Sequence, residues 1–247
     1  MTIDAKPGDE PRVLWITGAG SGIGRAAALS AADAGWRVAL SGRRQNTLEA
    51  TADAVRAHSG DAFVVPVDVR DPAAVTASAD VVRSRWGRID GLVLAAGLNA
   101  PDRRWADQAT ETFDQIVQTN LVAPAHLIAA ALPHLRERHG VAVIVSSYSA
   151  WTFSPGAGVA YSASKSALSS LARTVNSEEA SSGVRACHLC PGDVNTDFLE
   201  LRPNVPDAEA RGVMLEPSDV ARSIQFVLDS PPHVRFDEIV ISPLSQR

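Results

Sequence analysis

Cysteine is nearly absent from this chain: Cys187 and Cys190 are the only two in 247 residues. Their C-x-x-C spacing suggests a redox or metal pair, but they fall in Val184–Cys190, a stretch that reads as a strand. Residues three apart on a strand face opposite sides. No third cysteine exists to complete a structural zinc site, and His188 alone does not suffice, so no metal centre is expected. An excess of positive charge is also missing. The formal net charge is −5 and the basic residues are dispersed, which argues against a nucleic-acid or membrane-surface partner. No apolar run approaches the roughly 20 residues of a membrane-spanning helix. The most apolar helical stretch, Leu121 to Leu132, is broken by Pro124 and His126. Met1 to Pro11 is short and polar with no apolar signal core, so it is expected to be a frayed tail on a cytoplasmic protein.

What is present is core-forming material in a regular order. Apolar residues make up 45% of the chain, and the length suits one large α/β domain over residues 12–247. Nearly continuous apolar, β-branched runs predict strands at Arg12–Thr17, Arg37–Ser41, Ala62–Val67, Gly91–Ala95, Val141–Ser147, Val184–Cys190 and Glu238–Ser242. Helical patterns alternate with them at Gly22–Ala34, Asn46–His58, Pro72–Trp86, Thr110–Arg138, Ala160–Ser181 and Ser218–Leu228. Strand–helix alternation implies parallel pairing with right-handed crossovers. The fold class expected is α/β: a single doubly wound Rossmann domain, with a seven-stranded parallel sheet flanked by helices on both faces. The longest irregular segment, Pro191 to Pro217, follows a strand end, where open α/β sheets bind ligands.

Three motifs carry chemistry. The first strand runs into Thr17-Gly18-Ala19-Gly20-Ser21-Gly22-Ile23-Gly24, a glycine-rich turn that opens a helix. Gly18 permits the tight turn, and Gly22 and Gly24 allow close approach of helix, strand and a phosphate. Gly42 follows the second strand, where a fold holding NAD usually has an acid for the ribose 2′-hydroxyl. Arg43 and Arg44 follow instead. A guanidinium pairs with a 2′-phosphate that a carboxylate would repel, so NADP(H) is expected over NAD(H). Finally, Tyr161 and Lys165 stand four residues apart on one helix face. An ammonium there can stabilise a phenolate and fit the tyrosine for proton transfer.

With this order of motifs, the chain resembles the short-chain dehydrogenase/reductase family over nearly its whole length, roughly Arg12 to Gln246. The resemblance implies Tyr161 as general acid/base, with Lys165 holding the nicotinamide ribose and lowering the tyrosine pKa. It implies Ser147 as the hydroxyl that polarises the substrate carbonyl, with Ser146 and Ser149 as alternatives. Ser147 is fourteen residues before Tyr161 instead of the more usual thirteen, an offset that an extra residue in Ser154–Val159 would explain. The resemblance also brings in Asn120, whose carbonyl cannot accept from Pro124, which has no N–H. Asp68 would accept from the adenine amino group, with Val69 against the ring. Ala95, Ala96 and Gly97 would line the cofactor where relatives usually have asparagines before the glycine. Pro191, Gly192, Val194 and Thr196 would cover the nicotinamide. Ser21 departs from the basic residue that many NADP-preferring relatives carry.

Substrate-shaping residues are expected at Leu98, Asn99, Tyr148, Trp151, Phe153 and the loop Asp197 to Leu215. The reading is an NADP(H)-dependent oxidoreductase acting on a small carbonyl or secondary alcohol. The alternatives are an NAD(H)-preferring alcohol dehydrogenase of the same family, a cofactor-binding regulator without turnover, and a lyase or epimerase that retains its cofactor. The partner expected is a small-molecule substrate. A homotetramer, with a dimer next, is expected through the alanine-rich helices Thr110–Arg138 and Ala160–Ser181.

Overall fold

The computed structural model describes residues 10–246, so most of the expected N-terminal tail lies outside the described residues. Seven strands form one parallel sheet in the order β3-β2-β1-β4-β5-β6-β7. They are β1 (Val13–Thr17), β2 (Arg37–Gly42), β3 (Ala62–Pro66), β4 (Gly91–Leu94), β5 (Val141–Val145), β6 (Arg185–Pro191) and β7 (Glu238–Ile241). The helices are α1 (Gly22–Asp33), α2 (Gln45–Ala57), α3 (Pro72–Trp86), α4 (Thr110–Val117), α5 (Ala123–Arg138), α6 (Tyr148–Trp151), α7 (Val159–Glu178), α8 (Ala208–Arg211) and α9 (Pro217–Leu228).

Strand alternation sorts the side chains into two cores. On β1, Val13 and Trp15 face one core, and Leu14 and Ile16 face the other, all fully buried. The first core is closed by α3, α5 and α7, through residues such as Val75, Leu127 and Leu168. The second is closed by α1, α2 and α9, through Ala28, Leu48 and Ile224. With three helices on each face, the central strands have no wet side, which is why they read as continuous apolar runs. The chain reverses direction across the sheet between β1 and β4, where the order passes from β2-β1 to β4-β5. Ligands of open α/β sheets bind at such a switch point, beyond the carboxyl ends of the strands.

Three expectations need correction. The long helix Thr110–Arg138 is interrupted by a π-helical segment, Gln118–Val122, placed just ahead of Pro124, whose ring removes one helical donor. By length and composition this 29-residue rod is apolar enough to cross a membrane, one 18-residue window of it having a mean hydropathy of 1.3. Here its apolar residues Ile116, Leu127, Ile128 and Leu135 are buried against the sheet and neighbouring helices. Val141–Ser147 ends as a strand at Val145, and Ser147 caps α6 by accepting from Ser149 N. The segment after β6 is structured: Val194 bridges Leu215 in parallel, and Asp197–Leu201 forms a 3₁₀ turn.

Candidate active site

A cleft of about 1500 Å³ opens at the carboxyl ends of the strands. Its first wall is the turn after β1. Gly18 has φ +67°, and a Cβ there would stand 2.7 Å from the Ala95 backbone. A Cβ on Gly24 would lie 2.3 Å from the Gly18 carbonyl, so α1 reaches the turn only because both residues are glycine. Gly18, Ser21, Gly22, Ile23 and Gly24 line the cleft. Gly20 is not among the residues lining it. Its missing Cβ makes room for Thr47, whose Oγ1 would be 2.4 Å away, so this glycine serves the packing of α2.

Arg43 and Arg44 continue the wall beyond β2, both exposed. Asp68 and Val69 follow beyond β3, and Ala95, Ala96 and Gly97 beyond β4. The Asp68 carboxylate is already held by Arg70, through Nε at 3.0 Å and Nη2 at 2.6 Å. This fork keeps the Asp68 carboxyl below its ordinary range, with a weaker contribution from Arg43. Any role for Asp68 toward an adenine is therefore shared with Arg70, a residue that the sequence reading passed over. An Asp-x-Arg spacing beyond a strand end was the available signal.

The proton-transfer groups line the same cleft. Ser147, Tyr161 and Lys165 line the cleft together with Pro191, Gly192, Val194 and Thr196. Ser147 lies close enough to Tyr161 for its hydroxyl to favour the phenolate. Ser147 Oγ accepts from Ser149 N at 3.2 Å and from Ser149 Oγ at 3.1 Å. Its own proton is therefore left to donate. Ser146 is turned away, donating to the Lys165 carbonyl at 3.0 Å. Between α6 and α7 the chain turns at Gly158, which adopts φ +90°.

Lys165 is 5% exposed, and Nζ donates to the Val145 carbonyl at 2.9 Å. Burial brings its ammonium down to about 8. Burial pushes the Tyr161 phenol up, opposed by the nearby Ser147 hydroxyl and by the charges of Arg103 and Arg202. Lys165 Nζ lies 5.8 Å from the Tyr161 ring centroid, and Arg103 and Arg202 add positive charge that favours the phenolate.

Asn120 is fully buried and is not on the cleft wall. Its Oδ1 accepts from Leu98 N at 2.8 Å, while Nδ2 donates to the Leu98 carbonyl at 2.8 Å and to Ser164 Oγ at 3.2 Å. The side chain thus ties the segment after β4 to α7 from beneath the site. Leu98, Asn99, Tyr148 and Phe153 line the cleft as expected, but Trp151 lies outside it, against Tyr148 with ring centroids 5.2 Å apart. Of the loop Asp197–Leu215, only residues up to Asn204 contribute. Phe198 packs near Tyr161, with ring centroids 6.0 Å apart.

His188, Cys190 and Glu238 bring three potential ligand atoms within 4.8 Å of one another. His188 Nδ1 meets Glu238 Oε2 at 2.9 Å. A carboxylate only accepts, so that nitrogen carries a proton. Burial pushes the Cys190 thiol up to about 12, and a thiol is a poor ligand until it is deprotonated. The Cys187 thiol is likewise pushed up to about 12, and both cysteines are free.

The first wall fits a dinucleotide. Glycines stand where a Cβ would close the turn, a helix N-terminus begins there, and Arg43 and Arg44 have no ion pair among the described residues. Comparisons with known proteins agree with this geometry. The family model for short chain dehydrogenases matches residues 12–205. A sulfoacetaldehyde reductase of Chromohalobacter salexigens is 31% identical over 241 residues, 94% of each chain. An uncharacterized oxidoreductase of Listeria monocytogenes is 29% identical over 95% of this chain and 97% of its own. Among solved structures, an alcohol dehydrogenase from the archaeon Thermococcus sibiricus, complexed with 5-hydroxy-NADP, superposes with a TM-score of 0.87. It is 29% identical and covers 96% of this chain and 99% of its own.

Proposed function

The chain belongs to the short chain dehydrogenase family and is an oxidoreductase of that family, and we propose that it interconverts a small carbonyl compound and its alcohol with NADP(H), using Tyr161 as general acid/base. The observation that carries this reading is that Ser147, Tyr161 and Lys165 line one cleft with the glycine turn after β1. When bound, the nicotinamide supplies or accepts the hydride. In the reducing direction Tyr161 gives its proton to the carbonyl oxygen, and in the oxidising direction it takes that proton back. Ser147 keeps one O–H free for the same oxygen, because Ser149 supplies both bonds that it accepts. Lys165 holds a positive charge deep in the site, where a ribose hydroxyl is a suitable acceptor. Asn120 positions Leu98 and the segment beside it.

The preference for NADP(H) rests on Arg43 and Arg44 at the end of β2, where no carboxylate competes for a 2′-phosphate. Two neighbours at 26% identity, a serine dehydrogenase and an actinorhodin polyketide ketoreductase, were solved with NADP+ and NADPH. A 3-ketoacyl-(acyl-carrier-protein) reductase from Brucella melitensis, also 26% identical, was solved with NADH. The arginines therefore weigh more in this reading than the neighbours do. We also propose a homotetramer, or a dimer, in the cytoplasm. Exposed Ala129 on α5 and Ala163 on α7 suit close helix packing, and light scattering and cell fractionation test these two points.

The purified Tyr161→Phe variant tests the chemistry. It should fold and bind NADPH as the wild type does, while turnover falls by about 10³-fold. Unchanged turnover would remove Tyr161 from the reaction.

A further inference from the structure

We propose that Arg103 receives an anionic group of the substrate, so that the enzyme acts on a small carbonyl compound, or its alcohol, carrying a carboxylate or a sulfonate. The inference rests on the oxidoreductase reading above and narrows its substrate class. Arg103 is only 8% exposed, yet it lines the same cleft as Tyr161. Among the described residues no carboxylate stands within ion-pair distance of it. Its partners are neutral: Nε donates to the Ala100 carbonyl at 2.8 Å, Nη1 to the Gly156 carbonyl at 3.2 Å, and Nη2 to the Leu201 carbonyl. A guanidinium has five N–H groups, so these three bonds leave two. The neighbouring cation, Arg202, is different, because Asp193 pairs with it.

A buried guanidinium without an anion is costly unless something else repays its lost hydration. One role is purely architectural. The three carbonyls come from the segment after β4, the turn before α7 and the loop after β6, so Arg103 straps them together. A strap needs donors but no charge. The charge is the unexplained part, and it acts on the site, since Arg103 and Tyr161 each shift the other's titration. A carboxylate or sulfonate on Arg103 would complete the missing charge. It would also fix one end of a short substrate while the carbonyl at its other end meets Tyr161 and Ser147.

The experiment compares isosteric probes under NADPH: acetoacetate, acetonylsulfonate and the neutral methyl acetoacetate. The wild type should favour one of the anions by about tenfold to a hundredfold in kcat/KM, and the better anion identifies carboxylate or sulfonate. Arg103→Gln should bring that ratio close to unity, and Arg103→Lys should restore part of it. Loss of a mere strap would lower anion and ester alike, leaving the ratio unmoved, and that result overturns the proposal. So does a wild type that reduces the ester as well as the anions, a test that stands even if neither variant folds. If no probe turns over, binding of unreactive isobutyrate and isobutyramide to the NADPH-loaded protein, followed by nicotinamide fluorescence, gives the same ratio. Tighter isobutyrate supports the anion site and equal affinity refutes it. Failure of the hydride reading is separate: it appears as no turnover with any carbonyl or alcohol.

Discussion

The two ends of the sheet treat buried charge in opposite ways. At the amino end, Asp90 is 7% exposed and every lone-pair direction is used. Its Oδ2 accepts from Val13 N at 2.8 Å and Arg88 Nε at 2.7 Å, and its Oδ1 accepts from Arg88 Nη2 at 2.7 Å and Arg138 Nε at 3.3 Å. One carboxylate thus fastens the start of β1 to the segment entering β4 and the end of α5. At the carboxyl end, Lys165 and Arg103 are as deeply buried, but their hydrogen-bond partners are carbonyls. The same low-dielectric surroundings therefore stabilise the amino end and leave the carboxyl end with charge to offer. A group completed by its own chain holds the fold, whereas one left incomplete is available to a ligand.

Paired variants sharpen this contrast. The largest effect is expected from Lys165→Met. Replacing a buried, unpaired ammonium by an apolar side chain should leave stability within about 1 kcal/mol of the wild type or raise it. Activity should nevertheless fall by about 10³-fold. Urea unfolding beside a steady-state assay checks both, and a variant that unfolds while the remaining folded fraction stays active would break the comparison. Asp90→Ala should behave in reverse. It removes the acceptor of Val13 N, Arg88 Nε and Arg138 Nε and should cost about 3 kcal/mol of stability, with kcat at saturating cofactor within about twofold of the wild type.

The smallest effect is a pH dependence. Burial lowers Lys165 to about 8, whereas the unfolded chain holds that proton up to about 10.4. Between these values the unfolded state binds more protons, so stability of the cofactor-free protein rises with pH. Below 8 the burial cost is fully present. A gain of about 2 kcal/mol between pH 8 and 10, absent from Lys165→Met, is the expected result by chemical denaturation. A flat or falling difference between the two proteins would contradict it.

The fold was legible because its signals are local and repeated. Apolar β-branched runs such as Val141–Val145 and the turn from Thr17 to Gly24 locate strands and switch point without any long-range knowledge. Tyr161, Lys165 and Ser147 were found because their spacing along α7 and at the end of β5 is itself the signal. Arg103 and Arg70 were missed for the opposite reason. An arginine in a polar stretch such as Asp102-Arg103-Arg104 reads as a solvated charge. Only packing of the turn at Gly158, where a Cβ would meet Arg103 Cβ at 2.5 Å, shows that Arg103 is covered. The packing role of Gly20 was hidden in the same way, since its neighbour Thr47 lies 27 positions later and its contact is tertiary. The π-helical segment at Asn120 was half legible. Pro124 predicted a disturbed helix, but the turn of the side chain toward Leu98 depends on where β4 ends.

Separate titrations with NADPH and NADH, followed by nicotinamide fluorescence in the wild type and in Arg43→Ala, test most directly whether the unpaired cations of the carboxyl end exist to meet ligand charge. The account predicts that NADPH binds at least about tenfold more tightly than NADH, and that Arg43→Ala removes most of this preference while leaving NADH binding unchanged. Equal or tighter binding of NADH by the wild type would contradict it and return Arg43 and Arg44 to the status of solvated residues at a strand end.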